Sequence, residues 1–404
     1  MLAFFKRPLI LAAVGHLMLE LFANFLPIVY PLLIENLSLT LAQVGIVAMV
    51  VTVAGSITQP LFGYLSDRWD SALVVAVSVA WLGVFLGLVG FAWSYTSLLI
   101  IVGLGVLGSA AFHPGGATFA SMDGSKRRGV SLSIFSVGGN LGSAFSPLIV
   151  ALGLNWLGLH GTALLIPVAL VVGLMLYRPL REVEREATHT HYEGRQRSQS
   201  LGGQGSLMAL VMVTIAAAAR SWVQVSLITY LPVWLAGQGL SLTTAGQILS
   251  AFLFSISVGA LIGGPLSDRI GFWPVLVLGL GLLLGGQLIF LNVSGATLVG
   301  VIMLMGTAVG LTFPVAILMA QDVWPQGPAM AAAVIMGLGW APGGIGASVT
   351  GWIADQSSLA VGFRALLPVP IIGLVAVLLY VIFLKQLNQK QRLKGDRVAA
   401  GSSS

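Results

Sequence analysis

Apolar residues in this chain come in long runs separated by short polar stretches, and the runs recur from one end to the other. A helix needs roughly 20 mainly apolar residues to cross a hydrocarbon core of ~30 Å. On that rule the pattern predicts helices over 8–34, 43–66, 71–93, 96–120, 129–153 and 158–178. Six more follow over 207–236, 244–266, 272–293, 295–320, 329–352 and 359–384. Barrel strands would be about half as long and would alternate polar with apolar residues, which these runs do not. The expected fold class is an all-α membrane protein of about twelve transmembrane helices.

Between the sixth and seventh runs, the stretch from Arg181 to Gly205 is charged and rich in Gln, Gly and Ser, with no apolar face. It reads as a flexible linker. The expected plan is a six-helix bundle over 1–180, a cytoplasmic linker over 181–206, a second six-helix bundle over 207–390, and a cytoplasmic tail over 391–404. Gly401-Ser402-Ser403-Ser404 reads as an appended scar. The first apolar run is too long for a cleavable signal peptide and lacks a small-residue cleavage site.

Composition agrees with lipid as the solvent. Of 404 residues, 57% are hydrophobic and only 8% charged, with a mean hydropathy of +0.97. A soluble domain lacks the interior to hide that much apolar surface. Gly is abundant at 51 residues, which suits close packing of membrane helices. With no cysteine, disulfides and thiolate metal sites are excluded. The five histidines show no HExxH spacing, and His189 and His191 read as an incidental solvated pair, so no metal and no cofactor is expected.

The cations give an orientation. Lys6, Arg7, Arg68, Lys126, Arg127, Arg128 and the cluster from Arg178 to Arg197 all fall on one side of the predicted helices. Arg269 and the basic residues from Lys385 to Arg397 join them, making 17 of the 19 Lys and Arg. Only Arg220, inside a run, and Arg364, in the last short loop, are left over. By the positive-inside rule both termini and the linker are expected to be cytoplasmic. The net charge of +6 is then a topology signal beside anionic headgroups and implies no nucleic-acid partner.

The two halves repeat at an offset of about 200 residues. Leu37-Ser38-Leu39-Thr40 matches Leu240-Ser241-Leu242-Thr243. Gly63-Tyr64-Leu65-Ser66-Asp67-Arg68 matches Gly264-Pro265-Leu266-Ser267-Asp268-Arg269, and Pro114 matches Pro314. Matched segments fall on the same side, so the repeat is parallel and the bundles are pseudo-symmetric. Transporters built this way bind substrate near the midplane between halves.

The Gly-x-Leu-x-Asp-Arg segments resemble the signature loop of the major facilitator superfamily, over nearly the whole chain. Gly15-His16 with Glu20, Ala111-Phe112-His113-Pro114 and Val137-Gly138-Gly139-Asn140 resemble the fosmidomycin-resistance family within it. Leu19-Glu20 stands where that family is expected to carry an Asn-Asp type pair, and after Arg68 the stretch Trp69-Asp70-Ser71 lacks most of the usual basic tail of the signature loop. The resemblance implies a central cavity lined by the first, fourth, seventh and tenth spans. It also implies drug efflux in a bacterial inner membrane, with antibiotic resistance as the outcome.

Charges at bilayer depth carry the chemistry. Each costs about 2.5–3.5 kcal/mol on insertion scales and calls for a partner or a wet cavity. His16, Glu20 and Asn24 share one helix face at i, i+4 and i+8. Arg220 and Gln224 occupy the offset-200 positions of Glu20 and Asn24. Glu20, His16 and His113 are the candidate proton-coupling residues, since an imidazole titrates near neutrality. Arg220, Asn24, Gln224, Asn140 and Trp340 are the candidate substrate ligands, with helix packing the plainer role for the last two. Asp67, Arg68, Asp268 and Arg269 are candidate conformational latches at helix ends, and Pro114 and Pro314 candidate hinges.

The expected function is proton-coupled antiport of a small anionic or amphipathic compound by a protein acting as a monomer. Glu20 is expected to face Arg220 across the cavity and to compete with substrate for it, unless the two form a permanent ion pair. The alternatives are proton-coupled uptake of an organic anion, or a lipid or lysolipid substrate. A membrane-embedded enzyme is disfavoured, because no Gly-x-Ser-x-Gly, Cys or paired intramembrane carboxylates occur. Intramembrane charges and a twofold repeat also suit alternating access better than a channel.

Overall fold

The computed structural model describes residues 8–66, 70–122, 128–190, 206–325 and 328–401. Among the described residues all regular structure is helical. The first half comprises α1 (Pro8–Ala23), α2 (Leu26–Leu37), α3 (Leu41–Ser66), α4 (Ser71–Gly87), α5 (Tyr95–Ser121), α6 (Arg128–Leu157) and α7 (Leu165–Thr190). The second comprises α8 (Leu207–Gly237), α9 (Leu242–Ile270), α10 (Phe272–Phe290), α11 (Gly295–Val323), α12 (Pro328–Gly337), α13 (Ala341–Asp355), α14 (Leu359–Arg364) and α15 (Pro368–Gly401). Eleven stretches among the described residues are long and apolar enough to cross a membrane. One of them, Ile134–Glu186, is 53 residues long and contains most of both α6 and α7, so twelve crossings are present.

Polar residues between the runs start the helices. Asp70 accepts from the Leu73 amide at 2.8 Å to cap α4, and Ser94 with Ser97 forms a capping box on α5. Ser206, Ser241 and Ser358 cap α8, α9 and α14 in the same way. Each cap satisfies amides that the first turn leaves without partners.

Two crossings expected as single helices are broken. The run 8–34 divides into α1 and α2 at Asn24-Phe25, with Pro27 in the first turn of α2. Proline has no N–H to give the carbonyl four residues back, which here belongs to Ala23, so the ladder stops there. The run 329–352 divides into α12 and α13 around Trp340, with Pro342 in the first turn of α13. The Ser221 hydroxyl on α8 donates to the Trp340 carbonyl at 2.9 Å. Broken helices beside a central site are a recurring transporter device.

Part of the expected linker is helical. Residues 181–190 continue α7, and 191–205 lie outside the described residues. Leu180 is fully buried and Val183 packs on the core. Arg181 holds the Asp70 carboxylate at 3.0 Å and donates to the Tyr177 hydroxyl. The Glu184 carboxylate accepts from the Ser71 and Ala72 amides at 3.0 and 3.3 Å. It therefore sits at the positive end of α4, where an anion is favoured.

The bundles meet on the side away from the termini. There α3 packs on α13 and α6 on α9. Asp355, ending α13, accepts from the Leu41 and Ala42 amides of α3 at 2.7 and 2.8 Å. The Tyr230 hydroxyl bridges the carbonyls of Leu41 and Ala347, and the Asn155 amide reaches the Thr243 hydroxyl at 2.6 Å. Gly45 lets α3 approach Ser348 on α13 closer than any side chain would permit. Asp355 thus caps a helix belonging to the opposite bundle, and removing a cap costs about 0.5–2 kcal/mol. Asp355→Ala should loosen this seal. In a Ser348→Cys background of the cysteine-free chain, we expect labelling by an impermeant maleimide from that side to speed up several-fold. Unchanged labelling would mean the seal does not depend on Asp355.

Candidate functional site

The face of α1 that carries His16 and Glu20, with Asn24 just past its end, meets α5 and α6, and all three side chains find partners there. Glu20 Oε1 lies 3.3 Å from His113 Nε2 and 3.6 Å from His16 Nε2. Its Oε2 accepts from the Asn24 side-chain amide at 2.7 Å and from the Ser143 hydroxyl at 3.2 Å. Each ring also has its Nδ1 on a main-chain carbonyl, His16 on Phe135 at 2.9 Å and His113 on Ser109 at 2.7 Å. A carbonyl only accepts, so Nδ1 carries a proton in both rings, and both Nε2 atoms face the carboxylate. The rings meet edge-on with centroids 5.2 Å apart, and His16 stacks on Phe135 at 4.1 Å.

The Gly138-Gly139 motif allows this closeness. A Cβ on Gly139 would run into the His16 ring, and one on Gly138 or Gly142 into the carbonyls of Ala13 or Leu17. Small residues of α6 thus let α1 lie against it backbone to backbone. Gly139→Ala should cost about 1–3 kcal/mol of overpacking, seen as a fall of a few degrees in Tm in detergent. An unchanged Tm would mean that α6 yields freely.

Arg220 repeats the pattern with opposite charge. It lies on α8, 3% exposed, and donates to the Gln224 side-chain oxygen. Both halves thus carry a charge clamped by the amide four residues on. The guanidinium sits over the rings of Phe313 and Trp340, 5.2 and 5.3 Å from their centroids. Its buried Nε has no hydrogen-bond partner, and among the described residues no carboxylate pairs with it.

The expected opposition of Glu20 and Arg220 is therefore corrected. Glu20 is engaged by two imidazoles, an amide and a hydroxyl of its own half. Arg220 folds back against the aromatic rings of its own half instead of reaching across. A permanent ion pair between them is absent from this conformation, and so is direct competition of Glu20 for the guanidinium.

A cavity of about 430 Å³ lies between the bundles. Glu20, Asn24 and His113 form part of one wall, and Thr229, Phe313 and Trp340 part of the other. The first, fourth, seventh and tenth crossings all contribute, as do α3, α4 and the broken eleventh crossing. Arg220, Gln224 and His16 are buried and do not line the cavity, although Arg220 touches Phe313 and Trp340 and His16 lies 3.6 Å from Glu20. Asn140 is half-buried on α6 and does not line the cavity. Pro114 and Pro314 lie inside α5 and α11, which run through them unbroken. Asp268 and Arg269 are exposed at the end of α9, whereas Asp67 and Arg68 lie outside the described residues. Sequence reasoning missed Ser143, Phe313 and Asp355. For Phe313 a signal existed, since it precedes Pro314 as His113 precedes Pro114.

Comparison with known proteins gives this architecture a lineage. A family model described as Major Facilitator Superfamily matches residues 12–326 and 213–400. The chain is 29% identical over 374 residues to a fosmidomycin resistance protein of Escherichia coli (strain K12), covering 91% of each. It is 31% identical over 387 residues, 92% of each, to an uncharacterized MFS-type transporter, YfnC, of Bacillus subtilis (strain 168). Among solved structures, a bacterial homolog of the human lysosomal transporter Spinster, inward-facing and occupied, superposes with a TM-score of 0.73 at 16% identity. That match covers 93% of this chain and 95% of the other. A D-xylose-proton symporter gives a TM-score of 0.72 at 16% identity, over 92% and 96%. Full-length sequence similarity, twelve crossings in two bundles and a cavity between them agree: the chain belongs to the Major Facilitator Superfamily and is an integral membrane transporter.

Proposed function

We propose that this transporter exports a small organic anion of the drug type in exchange for protons, across a bacterial cytoplasmic membrane with both termini cytoplasmic. The observation that carries the proposal is the His16–Glu20–His113 cluster on the wall of the inter-bundle cavity. Three groups able to hold or pass a proton there would be costly to keep unless they work. The similarity to a fosmidomycin resistance protein supports efflux, and the basic residues on the terminal side support the orientation.

In the mechanism we infer, ionised Glu20 holds Asn24 at the break between α1 and α2 and so sets the direction of α2, whose Pro27 and Tyr30 line the cavity. A proton arriving from outside neutralises the carboxylate and weakens that hold. The cavity wall then changes shape and the anion leaves. Arg220 is the anion's counter-charge, reached when Trp340 swings at the break between α12 and α13. An unpaired buried guanidinium costs several kcal/mol in desolvation, and a desolvated cation–π contact returns about 2 kcal/mol. An incoming anion supplies the rest. The bundles, dividing between α7 and α8, rock about this centre, and the Asp355 seal opens as the other side shuts.

The test is a proteoliposome assay of acidic, neutral and lysolipid compounds, each with and without an imposed pH gradient. The expected result is accumulation of an acidic compound only when the gradient drives protons in the opposite direction. Transport that ignores the gradient, or that favours lysolipids, would overturn the proposal.

A further inference from the structure

The His16–Glu20–His113 cluster has a geometry that protons alone do not require. With Nδ1 of each ring committed to a main-chain carbonyl, both Nε2 atoms converge on one carboxylate oxygen. All three ligand atoms lie within 4.8 Å of one another. Charge-assisted N–H···O bonds run at about 2.7–2.9 Å, yet the separations here are 3.3 and 3.6 Å. Four ligands at about 2.0–2.1 Å from a tetrahedral zinc ion stand about 3.3 Å from one another. The two separations from Glu20 Oε1 thus fit ligand against ligand around a shared cation, and the two Nε2 atoms lie within 4.8 Å of each other.

The surroundings are those of a built metal site. Metal-bound imidazoles usually give their other N–H to a carbonyl or carboxylate, and bound carboxylates are themselves held by hydrogen bonds. Both conditions are met, since Asn24 and Ser143 fix Glu20 Oε2 and leave Oε1 to the two imidazoles. His16 is buried, while Glu20 and His113 reach the cavity, so the fourth position faces open space. Gly139 supplies the room for the His16 ring. Two imidazoles and one carboxylate with an open position form a set that suits zinc and similar transition ions, whereas magnesium and calcium prefer oxygen ligands throughout.

We propose that His16, Glu20 and His113 form a three-ligand site for a zinc-type divalent ion, open to the central cavity. The inference goes beyond the exchange reaction and does not depend on it, because it stands on coordination geometry. An ion bound here would occupy the carboxylate that we assign to proton traffic, and so would arrest transport until a chelator removed it.

The experiment titrates zinc chloride into the full-length protein in detergent, purified through a tag without histidine, against a competing chromophoric chelator. The expected result is one zinc per chain, with magnesium and calcium unable to displace it. His16→Gln and His113→Gln should each weaken binding about 100-fold or more. The double variant His189→Ala, His191→Ala should bind as the parent does. X-ray absorption of the zinc-loaded parent should show two imidazole nitrogens and carboxylate oxygen at about 2.0–2.2 Å, which keeps the test decisive if a histidine variant does not fold. Absence of stoichiometric zinc, binding unchanged in both Gln variants, or binding lost only with His189 and His191 would overturn the proposal. Failed gradient-driven transport with intact zinc binding would retire the exchanger alone. Intact transport without zinc binding would retire the metal site alone.

Discussion

Glu20→Gln is expected to abolish gradient-driven accumulation while leaving exchange of labelled for unlabelled substrate across the membrane. The amide has nearly the shape of the carboxylate, can accept from Asn24 and can donate to His113 Nε2, so the α1–α2 break should keep its form. What it cannot do is change charge. One unit of pH gradient is worth about 1.4 kcal/mol per proton, enough for about a tenfold concentration ratio in one-for-one exchange. Under such a gradient the parent should approach that ratio, and the variant should stay near unity. A variant that still concentrates substrate would refute the coupling role of Glu20. Loss of counterflow as well would instead mean that the carboxylate is needed to build the cavity.

Arg220→Gln should weaken binding of an acidic substrate far more than that of a neutral analogue. The guanidinium is buried, bonded to Gln224, covered by Phe313 and Trp340, and without an anion among the described residues. Breaking one side of a buried charge pair usually costs about 2–5 kcal/mol, or roughly 30-fold to several-thousand-fold in affinity. Isothermal titration of the purified variant with both compounds measures the difference directly. Equal losses for both would make Arg220 a packing residue, and no loss for the acid would end its role as counter-charge. Arg220→Lys should recover little, because a compact ammonium lacks the flat face that stacks on the two rings.

The crossings were readable because lipid demands an uninterrupted apolar run and the chain supplies them with polar punctuation at Ser94, Ser206 and Ser241. The repeat offset aligned Glu20 and Asn24 with Arg220 and Gln224, and within each pair the two side chains are hydrogen-bonded. It could not say where a long side chain goes once its helix face is known. Arg220 had two ways to lower its energy, across the cleft or back onto aromatic rings, and spacing does not choose between them. The break at Asn24-Phe25 was legible in principle from Pro27, but hydropathy averages over a proline that is itself apolar. The end of α7 was hidden for the opposite reason. Arg181 and Glu184 look like solvated linker residues, and only the fold shows that Asp70 and the start of α4 receive them. The meeting of His113 with His16 depends on tertiary packing of α5 on α1, which no local pattern encodes.

Antiport requires that substrate and proton exclude one another, and linkage makes that exclusion reciprocal. The direct measurement follows protons released when an acidic substrate is added to the purified transporter in weakly buffered detergent, read with a pH-sensitive dye. We predict release approaching one proton per substrate bound, affinity that rises with pH, and no release from Glu20→Gln. Proton uptake on binding would contradict exchange and indicate transport of anion and proton together, while no change of either sign would detach this cluster from the substrate altogether.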